Sequence, residues 1–268
     1  MKSAPKNAVI LAAGRGSRLR PLTELTPKPL VKVNGTPIIH NALRNLEAAG
    51  VQEVTIVVGY RMDAIQCSCD NRFGNLEINY VESSVFDKTG TAYSLWLARE
   101  RLLAGDIYLL EGDVFFELEA LRYIEMGEAE NVAAVAPFGW SMEGSAVVLA
   151  ENGYITEVRM KQTGANLSDG SPALFKTMNL IRFSCNDLRE TIVPYLDDLI
   201  AGGAVKSYTE ELLSDLIRNK DLQIAAARCD DVRWCEIDNE DDLRIAEAIF
   251  LSGVPSRSQS CPQMPTHP

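Results

Sequence analysis

The segment LAAGRGSRL at residues 11–19 constrains the fold of this chain more than any other part of the sequence. It directly follows an apolar run at residues 8–12, so it lies where a first buried strand ends and the chain must turn. Gly14 and Gly16 have no side chains, which lets the backbone N–H groups of the turn approach an anion closely. The segment therefore predicts an anion-binding turn after the first strand.

Positive charge is concentrated at this turn and just beyond it. Residues 15–32 contain a single acidic residue, Glu24, although the whole chain has a formal net charge of −11. The cations of the segment are Arg15, Arg18, Arg20, Lys28 and Lys32. A small group of cations in an acidic protein indicates a localised anionic ligand, such as a polyphosphate, rather than a nucleic-acid surface.

Apolar runs and helical stripes alternate through the first half of the chain. Strands are predicted at residues 8–12, 54–58, 76–81 and 106–110, and helices at residues 36–50 and 90–103. In the first helix Thr36 is predicted to be the cap and Pro37 the first helical residue. The alternation predicts an α/β fold with a mostly parallel, Rossmann-like sheet and helices on both faces. Ligands of such sheets bind at the carboxyl ends of the strands, where the glycine turn and Asp113 both lie.

The second half is less regular. Strands are predicted at residues 132–136, 146–149, 154–158, 178–183, 222–227 and 233–237, and helices at residues 187–200, 209–218 and after the cap Asn239. We expect residues 1–252 to form one domain, with a nucleotide-binding half at residues 6–136 and an acceptor-binding half at residues 137–252. Residues 253–268 contain four prolines and few apolar residues, which predicts a disordered tail or a linker.

Composition excludes several other classes of protein. No apolar run approaches the roughly 18 residues that a membrane helix needs, and no signal peptide is recognisable, so we expect a cytoplasmic protein without a membrane partner. The six cysteines form no CxxC pair and the chain has only two histidines, which makes a zinc site or a disulfide framework improbable.

Two common phosphate loops do not fit the glycine turn. A dinucleotide fingerprint has the pattern GxGxxG, but Leu19 stands at the position of the third glycine. A P-loop ends in Gly-Lys followed by Ser or Thr, and the sequence contains no Gly-Lys pair. Dehydrogenase, ATPase and GTPase functions are therefore not indicated.

The extended sequence LAAGRGSRLRPLTELTPKPLVKVNGTPII resembles the signature of the nucleotidyltransferases that make nucleoside-diphosphate sugars and related activated alcohols. The family pattern LAAG-x-G-x-R-L-x-P-L-T, the pattern T-P-K-x-L and a helix that begins with proline follow one another in the same order. The resemblance covers residues 6–251 and implies an enzyme that transfers a nucleotidyl group. Asp113 in LLEGDVFF and Asp238 in RWCEIDNEDDL resemble the family's two metal-binding aspartates.

The resemblance also implies roles for individual residues. Backbone amides of residues 13–17 hold the β- and γ-phosphates, Arg18 neutralises the leaving pyrophosphate and Lys28 reaches the α-phosphate. Asp113 and Asp238 would hold Mg²⁺, and an acceptor that is already anionic needs no dedicated general base. The expected nucleotide contacts are Leu11, Ala12, Ala13, Gly14, Arg15, Gly16, Ser17, Gly59, Ser94 and Gly112.

The segment DKTGTAYSLWLAR is similar to the phosphocholine cytidylyltransferase branch, in which N-N-x-x-S-L-x-x-A precedes the metal aspartate. Ser94, Leu95 and Ala98 match this pattern, whereas Thr91 and Ala92 replace the two asparagines. This similarity implies CTP as the nucleotide and phosphocholine, 2-aminoethylphosphonate or 2-hydroxyethylphosphonate as the acceptor. The replaced asparagines leave the contacts to the base and to the acceptor open.

Six residues are candidates for acceptor binding, and some of them have simpler explanations. Lys161 is equally typical of a surface lysine, and each aromatic residue taken singly is more typical of core packing. An amide in an apolar strand, as at position 179, requires a partner. The candidates are Tyr93, Lys161, Lys176, Asn179, Glu210 and Trp234.

Two other functions remain open from the sequence. One is a sugar-1-phosphate nucleotidyltransferase that uses UTP or dTTP, and the other is a non-catalytic relative that binds nucleotide as a regulatory subunit. Arg18, Lys28, Asp113 and Asp238 are all present, which favours an enzyme. A homodimer, or fusion to a partner enzyme, is compatible with the sequence.

Overall fold

The computed structural model describes residues 4–167, 170 and 172–251. Its strands are β1 (Asn7–Ala12), β2 (Lys32–Val33), β3 (Thr36–Pro37), β4 (Glu53–Val58), β5 (Arg72–Phe73), β6 (Leu76–Glu82), β7 (Ile107–Glu111), β8 (Val114–Phe116), β9 (Asn131–Pro137), β10 (Glu143–Leu149), β11 (Ile155–Thr163), β12 (Leu174–Phe183), β13 (Ile224–Arg228) and β14 (Trp234–Glu236). Its helices are α1 (Ile38–Ala48), α2 (Met62–Cys69), α3 (Thr91–Leu97), α4 (Arg99–Leu102), α5 (Glu119–Met126), α6 (Cys185–Asp187), α7 (Val193–Ala201), α8 (Thr209–Asn219) and α9 (Glu240–Ile249).

Ten strands form the central sheet, which has a parallel part and an antiparallel part. The order is β11-β10-β12-β7-β1-β4-β6-β5, with β9 beside β12 and β13 beside β9. Strands β7, β1, β4 and β6 are parallel neighbours, so their carboxyl ends meet at one edge. Strand β12 runs antiparallel to β7 and joins the second half of the chain to this parallel part.

Helices cover both faces of the sheet, as the alternating pattern predicts. Residues of β1 point alternately to the two faces, so that Ile10 packs in one core and Val9 in the other. The first core includes apolar side chains of α1 and α5, and the second includes those of α3, α7 and α8. The predicted α/β fold with a mostly parallel sheet is confirmed.

A smaller core attaches the segment after β1 to the end of the domain. Leu19 and Val31 from that segment pack together with Phe115, which follows β7, and with Ile237, which precedes α9. All four side chains are buried. Segments that are distant in the sequence are thereby held side by side at the carboxyl ends of the strands.

Several predicted boundaries need correction. Thr36 and Pro37 do not begin the first helix, because they pair with Lys32 and Val33 in a two-residue ladder, and Pro37 is its extended N-cap. The helix predicted at residues 90–103 is divided at Ala98 into α3 and α4, and the helix predicted at residues 187–200 contains a π-helical turn. The strands predicted at residues 154–158 and 178–183 are longer in the structure.

The predicted single domain stays a prediction, although the central sheet takes strands from both halves of the chain. The predicted tail at residues 253–268 lies outside the described residues. Within the described ranges, no helix combines the length and the apolar character needed to cross a membrane.

Candidate active site

A cavity of about 620 Å³ lies at the carboxyl ends of the parallel strands. The glycine turn after β1 forms one part of its wall, and the ends of β7, β10 and β11 form other parts. Its lining includes the cations Arg18, Lys28, Lys161 and Lys176 and the carboxylates Glu111, Asp113, Glu143, Glu210, Glu236 and Asp238. Charged groups of both signs therefore converge where ligands of such sheets bind.

The glycine turn is packed directly against Lys28. Gly16 has a φ of +62°, and a Cβ atom built on it would lie 2.7 Å from the Cβ of Lys28. The carbonyl oxygen of Gly16 accepts hydrogen bonds from Leu19 N at 3.0 Å and Thr23 Oγ1 at 2.8 Å. Gly14 has open space around its Cα and, with Ser17, lines the cavity. Both the left-handed backbone conformation and the close contact with Lys28 therefore require glycine at position 16.

Gly112 brings the ends of β1 and β7 together. Its N–H donates to the carbonyl oxygen of Leu11 at 2.9 Å, and a Cβ atom on Gly112 would lie 3.0 Å from that oxygen. Leu11, Ala12 and Gly112 all line the cavity. All three residues therefore lie at the cavity wall, and their contact with a nucleotide stays a prediction.

Three other predicted nucleotide contacts, Ala13, Arg15 and Gly59, lie in the turn or against it. Gly59 supports Ala13, because a Cβ atom on Gly59 would lie 2.8 Å from the carbonyl oxygen of Ala13. The guanidinium of Arg15 lies 5.7 Å from the ring centres of Tyr60 and Phe86. Ala13, Arg15 and Gly59 are not among the described residues that line the cavity.

Lys28 joins the two predicted metal-binding aspartates. Its Nζ atom lies 2.7 Å from Asp113 Oδ2 and 2.7 Å from Asp238 Oδ1, and Arg18 Nη2 lies 2.8 Å from the same Asp238 oxygen. Burial disfavours the charged lysine, but the two aspartates outweigh burial and raise the pKa of Lys28 above its ordinary value. Burial also raises the pKa of Asp238, yet Lys28 and Arg18 hold that pKa below its usual value.

The pair of aspartates fits a magnesium ion. Both carboxylates already converge on one cationic atom, and Asp113 Oδ1 is buried without a hydrogen-bond partner among the described residues. Three or more acidic, cysteine or histidine groups in metal-binding geometry do not occur in the described part of the chain. Nucleotide enzymes commonly hold Mg²⁺ with only one or two carboxylates, because phosphates and waters supply the remaining oxygens.

Lys176, Asn179 and Glu236 form a hydrogen-bonded group, of which Lys176 and Glu236 line the cavity and Asn179 is not among the described lining residues. Lys176 is only 4% exposed, and its Nζ lies 2.6 Å from Glu236 Oε2. Asn179 donates from Nδ2 to Glu236 Oε1 at 3.2 Å, so it has the partner that its apolar strand required. Burial raises the pKa of Glu236 to about 7 against the opposing charge of Lys176. Lys161 also lines the cavity.

Glu210 and Glu111 lie close together in the same region. Glu210, in the first turn of α8, accepts a hydrogen bond from Ser145 Oγ at 3.1 Å. Glu111 is the last residue of β7, and burial together with the charges of Glu210 and Asp113 raises its pKa well above the usual value. Tyr208 contributes an aromatic side chain to the lining.

Sequence reasoning missed Glu111 and Glu236. Each lies two residues before a predicted metal aspartate, in EGD and in EID. Side chains two positions apart in an extended chain lie on the same side. This spacing is a signal that could have identified both glutamates once Asp113 and Asp238 were chosen.

The structure does not bring Tyr93, Ser94 or Trp234 to the cavity lining, as far as the described residues go. The ring of Tyr93 packs 5.4 Å from the ring of Trp96, and Ser94 is buried within α3. Trp234 packs against the first core from β14. Core packing therefore accounts for Trp234, whereas Tyr93 packs against Trp96, and the acceptor contacts of both residues stay predictions.

Comparison with known proteins identifies similar sequences. A family model described as nucleotidyl transferase matches residues 7–143. The CMP-5'-(3-aminopropyl)phosphonate synthase of Streptomyces rubellomurinus is 35% identical over 92% of this chain, which spans 39% of that protein's length. The CTP:phosphoglutamine cytidylyltransferase of Campylobacter jejuni is 28% identical over 89% of this chain and 98% of that protein.

The fold also occurs in solved structures. The CTP:phosphocholine cytidylyltransferase from Streptococcus pneumoniae superimposes with a TM-score of 0.75 and 23% sequence identity. The match covers 92% of this chain and 100% of that chain. At this identity the likeness concerns the fold alone.

Proposed function

This chain belongs to the nucleotidyl transferase family, and on that premise we propose that it is a Mg²⁺-dependent cytidylyltransferase. It transfers CMP from CTP to a small phosphate or phosphonate and releases pyrophosphate. The observation that carries the proposal is the convergence of Lys28, Asp113 and Asp238 beside the glycine turn. The choice of CTP is supported by the names of the relatives from Streptomyces rubellomurinus and Campylobacter jejuni.

The proposed reaction is an in-line displacement at the α-phosphorus of the nucleotide. An acceptor oxygen forms a bond to that phosphorus, the bond to the bridging oxygen breaks, and pyrophosphate leaves with the electron pair. Backbone N–H groups of the glycine turn bind the β- and γ-phosphates, Arg18 neutralises the leaving group and Lys28 stabilises charge on the α-phosphate. Because the nucleophile is already anionic, positioning and charge neutralisation suffice.

Asp113 and Asp238 are the residues that would hold Mg²⁺. A bound ion supplies charge neutralisation and orientation for the triphosphate. The two carboxylates are separated by 125 positions in the sequence, yet both contact the same atom of Lys28. Binding of nucleotide and metal therefore replaces an existing ion-pair network rather than filling an empty pocket.

The acceptor's phosphorus group is proposed to bind near Lys176 and Lys161. Lys176 is held in place by Glu236, while Gly144 lies directly above its ammonium group. A Cβ atom on Gly144 would lie 2.8 Å from Lys176 Nζ, so glycine keeps this approach to the lysine open.

A matrix of nucleotides and acceptors tests the proposal. CTP, UTP, dTTP and ATP are combined with small phosphates, small phosphonates and glucose 1-phosphate, and pyrophosphate release is measured with Mg²⁺ and with EDTA. We expect release with CTP and a small acceptor, and none with EDTA. Faster release of pyrophosphate with UTP or dTTP and glucose 1-phosphate would identify a sugar-1-phosphate enzyme. No release of pyrophosphate in any combination would favour the non-catalytic alternative. An Asp113→Ala variant that folds is expected to be inactive.

A further inference from the structure

The carboxylate of Glu236 is held by two side chains of β12. Its Oε2 atom lies 2.6 Å from the Nζ of Lys176, and its Oε1 atom accepts a hydrogen bond from Asn179 Nδ2 at 3.2 Å. Lys176 and Glu236 line the cavity, whereas Asn179 is not among the described lining residues. The amide of Asn179 thus contacts the wall of the cavity through Glu236.

Strand β12 departs from regular geometry at Asn179. Residues three positions apart in a regular strand point to opposite faces, so Lys176 and Asn179 would not reach the same carboxylate. The register of β12 against β9 shifts between Thr177 and Ile181, and Asn179 within this interval has a φ of +53°. A left-handed conformation is unfavourable for residues with a side chain, although asparagine tolerates it better than most. The irregular backbone therefore brings the amide to Glu236.

Thr177 fixes the orientation of this amide. Its Oγ1 atom donates to Asn179 Oδ1 at 3.0 Å, which leaves Nδ2 as the donor to Glu236. The contacts therefore continue from Thr177 through Asn179 and Glu236 to Lys176. Without the amide, one oxygen of Glu236 loses its donor, and the lysine on the other oxygen loses a fixed partner.

The lysine at the end of this chain of contacts is closely confined. Lys176 is 4% exposed, and a Cβ atom on Gly144 would lie 2.8 Å from its Nζ. The ammonium group therefore lies between the backbone of Gly144 and the carboxylate of Glu236. A lysine side chain loses much rotamer freedom when it is fixed, so a lysine that the fold has already ordered binds an anion at a lower entropic cost.

We propose that Asn179 is a positioning residue, which acts through Glu236 to fix the ammonium of Lys176 for the acceptor's phosphate or phosphonate. This inference rests on the proposed function and deepens it. It gives Asn179 a role different from the direct acceptor contact that the sequence predicts. The amide strengthens binding of the acceptor's anionic group without touching that group.

The variant Asn179→Gly tests the role of the amide. Glycine accepts a positive φ without strain, so the variant removes the hydrogen bond and keeps the backbone conformation. We expect the dissociation constant of methylphosphonate, measured by NMR titration, to rise about 10-fold, as is typical for loss of a hydrogen bond to a charged group. In assays of pyrophosphate release, the KM for CTP is expected to stay unchanged. An unchanged affinity for methylphosphonate overturns the proposal.

A double-mutant cycle distinguishes positioning from direct contact. Glu236→Ala removes the connection between Asn179 and Lys176, so adding Asn179→Gly to it is expected to change the dissociation constant by less than about 2-fold. If the amide touched the anion itself, the full loss of affinity would persist in this background, and that result contradicts positioning.

Thr177→Val provides a second test if Glu236→Ala does not fold. It removes only the hydroxyl that orients the amide, and we expect methylphosphonate to bind about 3-fold more weakly, as for loss of a hydrogen bond between neutral groups. The same affinity in Thr177→Val and in the unmodified protein contradicts the proposal.

Asn34→Gly is the matched control. Asn34 also has a positive φ, of +47°, and donates from Nδ2 to the carbonyl oxygen of Glu247 at 2.8 Å. It is not among the described residues that line the cavity, so the affinity for methylphosphonate is expected to stay unchanged. Equal weakening in Asn34→Gly and Asn179→Gly would show a general effect of losing a left-handed asparagine, and it would exclude a specific role of Asn179.

Failure of the proposed function has a different signature. Binding of methylphosphonate needs no turnover, so absence of pyrophosphate release in every combination contradicts the proposed function while the titrations still report on Asn179. Release of pyrophosphate with an unchanged methylphosphonate affinity in Asn179→Gly contradicts the inference alone. If the unmodified protein does not bind methylphosphonate, Lys176 is not an anion site and the inference is wrong.

Discussion

At the residue scale, Lys28 is the centre of the candidate site. Its ammonium group contacts Asp113 and Asp238, which lie 85 and 210 positions further along the chain. The side chain is 13% exposed, so water screens these contacts only weakly. Without ligands, Lys28 thus contacts both carboxylates that we assign to the metal, and Arg18 supplies a second positive charge at Asp238.

This arrangement predicts that Lys28→Met strengthens metal binding while it weakens catalysis. Methionine keeps most of the side chain's length but removes the ammonium that competes with a metal ion for Asp113 and Asp238. We expect nucleotide-free protein to bind Mn²⁺ about 10-fold more tightly, as followed by electron paramagnetic resonance. Turnover is expected to fall by about 100-fold or more, because charge on the α-phosphate loses its stabiliser.

Lys32→Met is the control for this comparison. It also removes a lysine from the cationic segment, but Lys32 is exposed. Both the affinity for Mn²⁺ and turnover are expected to stay close to those of the unmodified protein. Weaker Mn²⁺ binding by Lys28→Met would show that the lysine organises the aspartates instead of competing for them.

At the element scale, the N-terminus of α9 positions one of the metal aspartates. The side chain of Asn239 accepts hydrogen bonds from the N–H groups of Asp241 and Asp242. In return, Asp242 Oδ2 accepts from the N–H groups of Asp238 and Asn239 at 2.9 and 3.1 Å. The cap of this helix therefore fixes the backbone on which Asp238 is carried.

Replacing Asn239 with alanine should affect both stability and metal dependence. Loss of an N-cap costs about 0.5–2 kcal/mol in the free energy of unfolding, which urea titration measures. The concentration of Mg²⁺ at half-maximal activity is expected to rise, because Asp238 is less firmly oriented. Ser184→Ala is the matched control, since Ser184 caps α6 by accepting from Asp187 N. It should lose stability with unchanged Mg²⁺ dependence, and the same Mg²⁺ shift in both variants would rule out a specific role of the α9 cap.

Most elements with a strong pattern were predicted, although α5 was missed despite the buried stripe of Ala120, Leu121 and Ile124. Strand β4 is a β-branched run, and Asn239 is an N-cap followed by three acidic residues, so both predictions are confirmed. Helix α2 was not predicted, because only Ile65 and Cys69 of its residues are buried and no apolar stripe results. Strand β8 has only three residues, too few for a periodic signal.

The residues of the site divide in the same way, since local motifs predict some of them and only tertiary contacts explain the positions of others. Arg18, Lys28, Asp113 and Asp238 belong to dense motifs, and the structure brings all four together. Trp234 lies in the same segment as Asp238, but its packing against the first core follows from the pairing of β14 with β8. That pairing joins segments more than a hundred residues apart, which local sequence does not specify.

At the scale of the whole molecule, the candidate site ties together the beginning, middle and end of the described chain. The glycine turn follows the first strand, Asp113 follows β7, and Asp238 precedes the last helix. The small core of Leu19, Val31, Phe115 and Ile237 holds the same three regions together behind the site. A ligand that bridges the turn and both aspartates therefore stabilises the association of all three regions.

We accordingly predict that CTP and Mg²⁺ together raise the unfolding temperature more than either does alone. A ligand at 100 times its dissociation constant stabilises the folded state by about 2.7 kcal/mol. For a chain of this size, that amounts to an increase of about 5–10 °C, measurable by differential scanning fluorimetry. Mg²⁺ alone should have little effect, because Lys28 and Arg18 already pair with the two aspartates and no phosphate completes the ion's oxygen ligands.

The same measurement with EDTA and with Asp113→Ala separates the contribution of the metal site from that of the glycine turn. In EDTA, CTP keeps its contacts with the backbone N–H groups of the turn and with Arg18. Its phosphates are no longer linked to Asp113 and Asp238, because the metal ion between them is removed. We expect less than half of the increase in unfolding temperature to remain, both in EDTA and in the variant. An undiminished increase in EDTA would mean that the turn alone binds the nucleotide, and that the two aspartates serve only to hold Lys28.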